Sequence, residues 1–303
     1  MDVGIVYNTQ HVIPLGVLLA FYFYLTGLSA GSFVISVIST IGGKTEYKPI
    51  GRIGAVIAPI LLMLAPMMLI FDLEQPFRFW HLFFYLNMKS PITYGSFLLT
   101  LYPINGIIYA WFLFGGNMKM AKLLGIVGIP LALATHGYTG FILALGKGRA
   151  LWSTALMPTL FIVSAMVSGI ALVILIAIIR NVFFYKDKPA EQQKDRDLIY
   201  GLGTFMGAFI GFDLFLVFND ILVLLTSKEE ELYVAKLILW GSFSPLFVGV
   251  EMILGGLVPL VIVFTPKLKK SIPALTVASV LVLAGVLAMR IVVVIAGQSI
   301  PLH

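Results

Sequence analysis

Apolar stretches of 20 or more residues recur along this chain of 303 residues, and they constrain its fold more than any other feature. A helix needs about 20 apolar residues to cross the hydrocarbon of a bilayer. Inside that hydrocarbon every peptide N–H and C=O must find a partner within the protein, which leaves helices and closed barrels. Barrel strands would alternate apolar and polar residues, whereas these stretches are apolar on every face. The expected fold class is therefore all-α, a polytopic membrane bundle. Composition agrees, with 60% hydrophobic and 11% charged residues, against roughly 25% charged in a soluble domain.

Hydropathy predicts a single integral membrane domain over residues 1–303, with eight spans at roughly 14–42, 50–72, 91–114, 120–146, 153–182, 198–226, 232–264 and 272–299. Several exceed about 25 residues, which implies tilt or ends that project from the bilayer. The chain opens Met1-Asp2 with neither a basic n-region nor a small-residue cleavage site, so the first span reads as retained rather than as a signal peptide. Loops joining odd to even spans carry Lys44, Lys48, Arg52, Lys119, Lys122, Arg180, Lys186, Lys188, Lys194, Arg196, Lys267, Lys269 and Lys270. The other side carries Arg78, Lys89, Lys147, Arg149, Lys228 and Lys236, so the count is thirteen against six. The positive-inside rule then puts both termini on the non-cytoplasmic side of an inner membrane. The net charge of +6 follows from those loops and offers no platform for nucleic acid. Tyr94-Gly95-Ser96-Phe97 and Trp240-Gly241-Ser242-Phe243, with Asp72 and Asp220 similarly placed, hint at two four-helix halves in one orientation.

Polar residues are costly in a bilayer and usually face the bundle or a cavity. An outer-side group comprises the run Asp72-Leu73-Glu74-Gln75-Pro76-Phe77-Arg78-Phe79-Trp80-His81 after the second span, Ser90-Pro91, His136 and Tyr138, and Lys147 and Arg149. Tyr22 and Tyr24 lie at a similar depth in the first span, which predicts a pocket between spans one, two and four just beneath the outer face. The run from 72 to 81 reads equally as an interfacial loop with aromatic anchors, the tyrosines as belt residues, and His136 as a histidine satisfied by a backbone carbonyl. A second, deeper group comprises Asp213, Asn219, Asp220, Glu251 and Arg290 in spans six to eight. These form either a structural charge network or a proton path. Gly255 and Pro259, downstream of Glu251, leave room for water or a broken backbone beside the carboxylate.

The residue inventory excludes several chemistries. With no cysteine there is no iron–sulfur cluster and no thiolate metal site in this chain. Four histidines exist, His11, His81, His136 and His303, and of these His136 alone lies well inside a span. A di-haem cytochrome needs two axial pairs within its helices, so no haem is expected, and no other metal. Gly146-Lys147-Gly148-Arg149 falls short of a phosphate-binding loop.

The run Asp72-Leu73-Glu74-Gln75-Pro76-Phe77-Arg78-Phe79-Trp80 resembles the D-L-x-x-P-x-R-F-W signature of the NrfD/PsrC family, the membrane subunits of polysulfide reductase and related respiratory complexes. Tyr22 to Gly31 is similar to that family's first-helix motif, Ser90-Pro91-Ile92-Thr93-Tyr94-Gly95 to its S-P-x-x-x-G, and Tyr138-Thr139-Gly140-Phe141 to its Y-T-G-F. Trp152 and Gly297-Gln298 also stand at familiar places. The resemblance implies a subunit without its own redox cofactor that binds quinone or quinol near the outer face. It further implies electron exchange with a docked, ferredoxin-like iron–sulfur subunit joined to a catalytic subunit on the outer side. Tyr138 matches the quinone-contacting tyrosine. Tyr22 stands where the best-known member has histidine, and Leu19 where it has asparagine, so that hydrogen bond is missing here and His11 or His136 is the candidate to replace it. Asp72, Glu74 and His81 are then candidate proton acceptors at the mouth. Arg78 and Trp80 would shape the site or meet the partner, and Phe71, Phe77 and Phe141 would wall the isoprenoid tail.

Two rival classes remain open. A secondary transporter would place an ion or substrate at Asp213, Glu251 and Arg290, and its mark would be an inverted repeat with broken helices. A structural anchor would tolerate Tyr138→Phe. The inventory leaves the terminal substrate, the quinone type and the direction of electron flow unspecified.

Overall fold

Prolines punctuate this chain where helices begin. Pro49, Pro91, Pro158, Pro189, Pro245 and Pro273 occupy the first or second position of their helices, where the missing N–H is harmless and the fixed φ suits a first turn. The computed structural model describes residues 15–42, 45–73, 75–227 and 229–299. Eight helices are long and apolar enough to cross a membrane: α1 (Val17–Ile41), α2 (Lys48–Phe71), α3 (Pro91–Phe114), α4 (Met118–Ala144), α5 (Met157–Phe183), α6 (Pro189–Thr226), α7 (Pro245–Phe264) and α8 (Ile272–Ala296). The protein is an all-α, multi-pass membrane bundle.

Two boundaries differ from the hydropathy reading. Helix α6 runs for 38 residues, about 57 Å at 1.5 Å per residue, and starts at Pro189 rather than near 198. Its polar first turns extend the helix beyond the apolar span, and there the buried Asp195 pairs with Arg180 of α5. Hydropathy places the start of the seventh span at 232, yet a separate helix, Glu229–Leu239, precedes it. The amides of Trp240 and Gly241 both turn back to the Lys236 carbonyl at 2.9 Å, ending that helix before α7 starts at Pro245. The second copy of the suspected sequence repeat therefore lies in a break, whereas Tyr94-Gly95-Ser96-Phe97 lies inside α3.

Helices α1 and α5 form the buried centre. They cross at Gly31 and Gly169, where a Cβ on either residue would run into the backbone of the other helix. Small residues that let backbones touch are a common source of helix association in lipid. The first four spans pack around one another, the last four likewise, and α1 against α5 joins the two sets. A polar ladder reinforces the first set. Ser29 donates to the Ala58 carbonyl at 2.6 Å and lies 3.3 Å from the Tyr102 hydroxyl, and Ser36 donates to the Gly51 carbonyl at 2.5 Å and lies 3.0 Å from the Tyr109 hydroxyl. Both pairs repeat two turns apart on facing helices, so α1 is stitched to α2 and α3 at two levels.

Helix α7 is wound differently. Its first 13 residues, Pro245–Leu257, form a π-helix with i→i+5 bonds, and Val258–Phe264 return to α. Such turns are rare and gather at functional positions. Gly255 of α7 and Gly285 of α8 meet with no room for a Cβ on either.

Candidate functional site

Polar side chains converge where the N-terminal halves of α1 and α5 meet the C-terminal halves of α4 and α8. On α4, His136 and Tyr138 follow two small-residue contacts: a Cβ at Gly95 of α3 would overlap the Tyr138 ring, and a Cβ at Gly27 of α1 would press on the His136 imidazole. The half-buried Tyr138 and the buried Tyr22 are electrostatic neighbours. His136 is fully enclosed. Its Nδ1 lies 3.2 Å from Thr26 Oγ1 and its Nε2 lies 3.2 Å from Nη2 of Arg290.

Donor and acceptor rules fix the imidazole. A guanidinium can only donate, so Nε2 accepts and the proton of a neutral ring resides on Nδ1, facing Thr26. The Thr26 hydroxyl in turn donates to the carbonyls of Tyr22 and Phe23, each at 3.0 Å. A string of donors thus runs from Arg290 through His136 and Thr26 to the turn that carries Tyr22. Arg290 is 0% exposed. Its Nη2 also donates to Ser164 Oγ at 2.6 Å and to the Phe161 carbonyl at 3.3 Å, while its guanidinium carbon sits 3.8 Å from the centroid of the Phe161 ring. A desolvated cation over an aromatic face gains about 2 kcal/mol. Nε and Nη1 of Arg290 have no hydrogen-bond partner among the described residues.

The structure therefore revises the division into two polar groups. Arg290, grouped by sequence with the deep carboxylates, touches His136 of the outer group and joins them. On its other side stand Asp213 and Glu251, electrostatic neighbours of Arg290 outside ion-pair distance. Asp213 and Glu251 line a cavity of about 20 Å³ with Gly255 and Gly285, room for about one water. Glu251 also lines a second cavity of about 30 Å³ beside Asp220 and Met289. The side chain of Thr154, in the loop after α4, lies next to Asp220. Oδ1 of Asp213, Oδ1 of Asp220 and Oε2 of Glu251 are buried without a hydrogen-bond partner among the described residues. Asn219 is not part of this row, because its amide donates back to the Phe215 carbonyl at 2.6 Å.

The segment after α2 arranges itself separately. Asp72 caps α2 and faces Gly16 at the start of α1, where a carboxylate suits the positive helix end. Trp80 and His81 meet edge to face at 4.0 Å, and His81 stacks edgewise on Tyr85 at 5.4 Å. Arg78 is exposed beside them. Phe71, Phe77 and Phe141 are exposed too, Phe77 to 91%, so they face outward rather than closing over Tyr138. Glu74 and His11 lie outside the described residues. Arg149 and Gln298 join the start of α1 to the end of α8: the Gln298 amide accepts from Leu15 N at 2.9 Å and donates to the Leu15 carbonyl at 3.1 Å, and Arg149 donates to the Gln298 carbonyl at 3.3 Å. Trp152 donates to the Val293 carbonyl at 2.7 Å, with its indole against Gly297.

Sequence reasoning missed Thr26, Phe161 and Ser164. One signal was available, since Thr26 lies one turn from Tyr22 and so shares its helix face.

The family described as "Polysulphide reductase, NrfD" matches residues 6–301 of this chain. The chain belongs to the NrfD family. The C component of the polysulfide reductase of Wolinella succinogenes is 30% identical, over 93% of this chain and 93% of its own length. The C component of the selenate reductase of Mesobacillus selenatarsenatis is 27% identical, over 94% of this chain and 74% of its own length. The Hdr-like menaquinol oxidoreductase integral membrane subunit of Archaeoglobus fulgidus is 27% identical, over 95% of this chain and 72% of its own. The NrfD match covers both polar groups, from Tyr22 to Arg290.

Proposed function

We propose that this NrfD-family protein is the quinone-reactive membrane subunit of a respiratory oxidoreductase complex. On this reading it lies in the inner membrane with both termini on the non-cytoplasmic side, and a ferredoxin-like iron–sulfur subunit and a catalytic subunit dock on that side. The names of the relatives support membership of such a complex, and one of them is named for menaquinol. The observation that carries the reading is the half-buried Tyr138 standing beside Tyr22 at the end of a buried donor string.

A bound quinol supplies two electrons and two protons. The protein, free of cysteine, leaves the electrons to a partner's cluster. Its own residues position and deprotonate. Tyr138 offers a hydroxyl to a ring oxygen, and Tyr22 backs it from the bundle side. His136, two residues before Tyr138, holds a proton on Nδ1 and keeps Nε2 against Arg290, so any change at His136 is felt at the Arg290 charge. Asp72 and His81 receive protons at the outer mouth. From Arg290 the row Asp213, Glu251 and Asp220 continues as a proton path, with the two water-sized cavities between its members.

The transporter alternative asks the same carboxylates to hold an ion or a solute. Organic ligands fill cavities of about 300–1,000 Å³, and the cavity at Asp213 and Glu251 is about 20 Å³. That size suits water and protons.

The test is quinone binding to the purified subunit together with its partners, read by fluorescence quenching of a quinone analogue. Saturable binding that weakens about tenfold in Tyr138→Phe, the loss of one hydrogen bond of about 1–1.5 kcal/mol, is the expected result. Absence of binding in the unaltered complex would overturn the reading.

A further inference from the structure

At the opposite end of the bundle, the first turns of α2 stand between two grooves. One, of about 510 Å³, lies between α2 and α5, with Lys48, Arg52 and Arg180 at its mouth and Ile53, Ile57 and Ile176 along its walls. The other, also about 510 Å³, lies between α2 and α3 and passes Pro59, Ile60, Ile107 and Trp111 to end at Phe114. Val56 lines both grooves, so α2 is the ridge that separates them. Arg52 marks their junction, because it lines the first groove while its guanidinium carbon sits 5.8 Å from the ring centroid of Phe114 in the second.

The charged residues that line these two grooves are all basic, while the carboxylates of Glu46, Glu191, Asp195 and Asp197 line the adjoining groove beyond Pro49 and Tyr185. No carboxylate lines either groove among the described residues. Asp195 pairs with Arg180 from behind, Arg180 Nη1 donates to the Pro49 carbonyl at 2.8 Å, and its Nε is buried with no partner among the described residues. Lys48 and Arg52 form no ion pair among the described residues. The cations occupy the first turns of α2 and the last turn of α5, at the ends of apolar spans, and the aliphatic residues follow one or two turns further into the bundle. A soluble phosphate compound would match the cations and leave both apolar grooves bare. Basic pockets between spans on the cytoplasmic side suit anionic head groups.

We infer that a membrane phospholipid with an anionic head group binds astride α2, its phosphate against Lys48 and Arg52 and one acyl chain in each groove. The site lies at the cytoplasmic ends of α2 and α5, away from Tyr138, so it is independent of the quinone reading.

Native mass spectrometry of the full-length protein with its partners, delipidated and then titrated, tests this. Phosphatidylglycerol is expected to bind saturably and phosphatidylcholine to bind far more weakly. Each cation removed costs roughly a factor of five, so Lys48→Gln with Arg52→Gln should weaken phosphatidylglycerol about thirtyfold. Both side chains are exposed, which spares the fold. Val56→Trp, which keeps every charge but obstructs the grooves, should also weaken it. Lys267→Gln, an exposed cation outside both grooves, should leave it unchanged. Equal affinity in the double variant and in Lys267→Gln would reduce the effect to general surface charge and overturn the site. Competition by glycerol 3-phosphate as strong as by the lipid would overturn it in favour of a soluble phosphate ligand.

Discussion

The seam around α1 and the seam between α6, α7 and α8 both bury polar atoms, and they treat them in opposite ways. Along α1 the hydroxyls are partnered: Ser29, Ser36 and Thr40 meet backbone carbonyls or the hydroxyls of Tyr102 and Tyr109, and the backbones close up at Gly31 and Gly169. Between α6 and α8 one carboxyl oxygen each of Asp213, Asp220 and Glu251 and two nitrogens of Arg290 stay unpartnered among the described residues, next to water-sized cavities and a π-wound helix. In lipid an unmet polar atom is expensive, so the two seams differ in kind: one satisfies its polar atoms within the bundle, and the other keeps several unmet together.

That contrast can be broken at four points. Glu251→Gln should have the largest functional effect and little structural one: proton translocation by the reconstituted complex, followed with a pH-sensitive dye, falls to background while quinone binding persists. Unchanged translocation would remove Glu251 from the path. Arg290→Met leaves His136 Nε2 and Ser164 Oγ without their donor, at about 3 kcal/mol for two buried acceptors, and should be seen as a lowered unfolding midpoint in denaturant. A midpoint as high as the unaltered protein's would mean that this cation holds nothing together. Gly169→Leu forces α5 away from Gly31, an overpacking cost of about 1–3 kcal/mol, with quinone affinity in the folded fraction preserved. If quinone affinity fell before stability did, the two seams would not be separate. Ser36→Ala is the smallest, about 0.6 kcal/mol by the average for interhelical hydrogen bonds in membranes, and a loss several times larger would show that the ladder is cooperative.

The eight spans were legible because a polypeptide in lipid has few options: about 20 apolar residues must be helical, and helix-starting prolines mark where six of them begin. Hydropathy erred at α7, since Trp240 to Phe243 are apolar enough to pass as span, while the bond pattern at Lys236 and the proline at 245 set the break. The candidate site was half legible. Tyr22, Tyr138 and His136 stood out by type and depth, and Asp213, Glu251 and Arg290 by their cost in lipid. The bond from Arg290 to His136 was not, for the two are separated by 154 positions and no local period encodes a contact across that interval. The π winding around Glu251 was hinted at by Gly255 and Pro259, which leave room for a broken backbone, and by Pro245 and the glycines at 249 and 256.

Arg290 sits on α8, and ribosomes make α8 after the seven helices it completes. Until that helix enters the membrane, His136 lacks its donor and Asp213 and Glu251 lack their nearby positive charge. A nascent bundle of seven helices therefore holds its acidic groups without a counter-ion, and insertion of the eighth both closes the protein against α1 and α5 and switches on its internal field. Assembly and electrical completion are one event, so a polypeptide stopped short of α8 lacks both the last wall of the bundle and the cation that His136, Asp213 and Glu251 face.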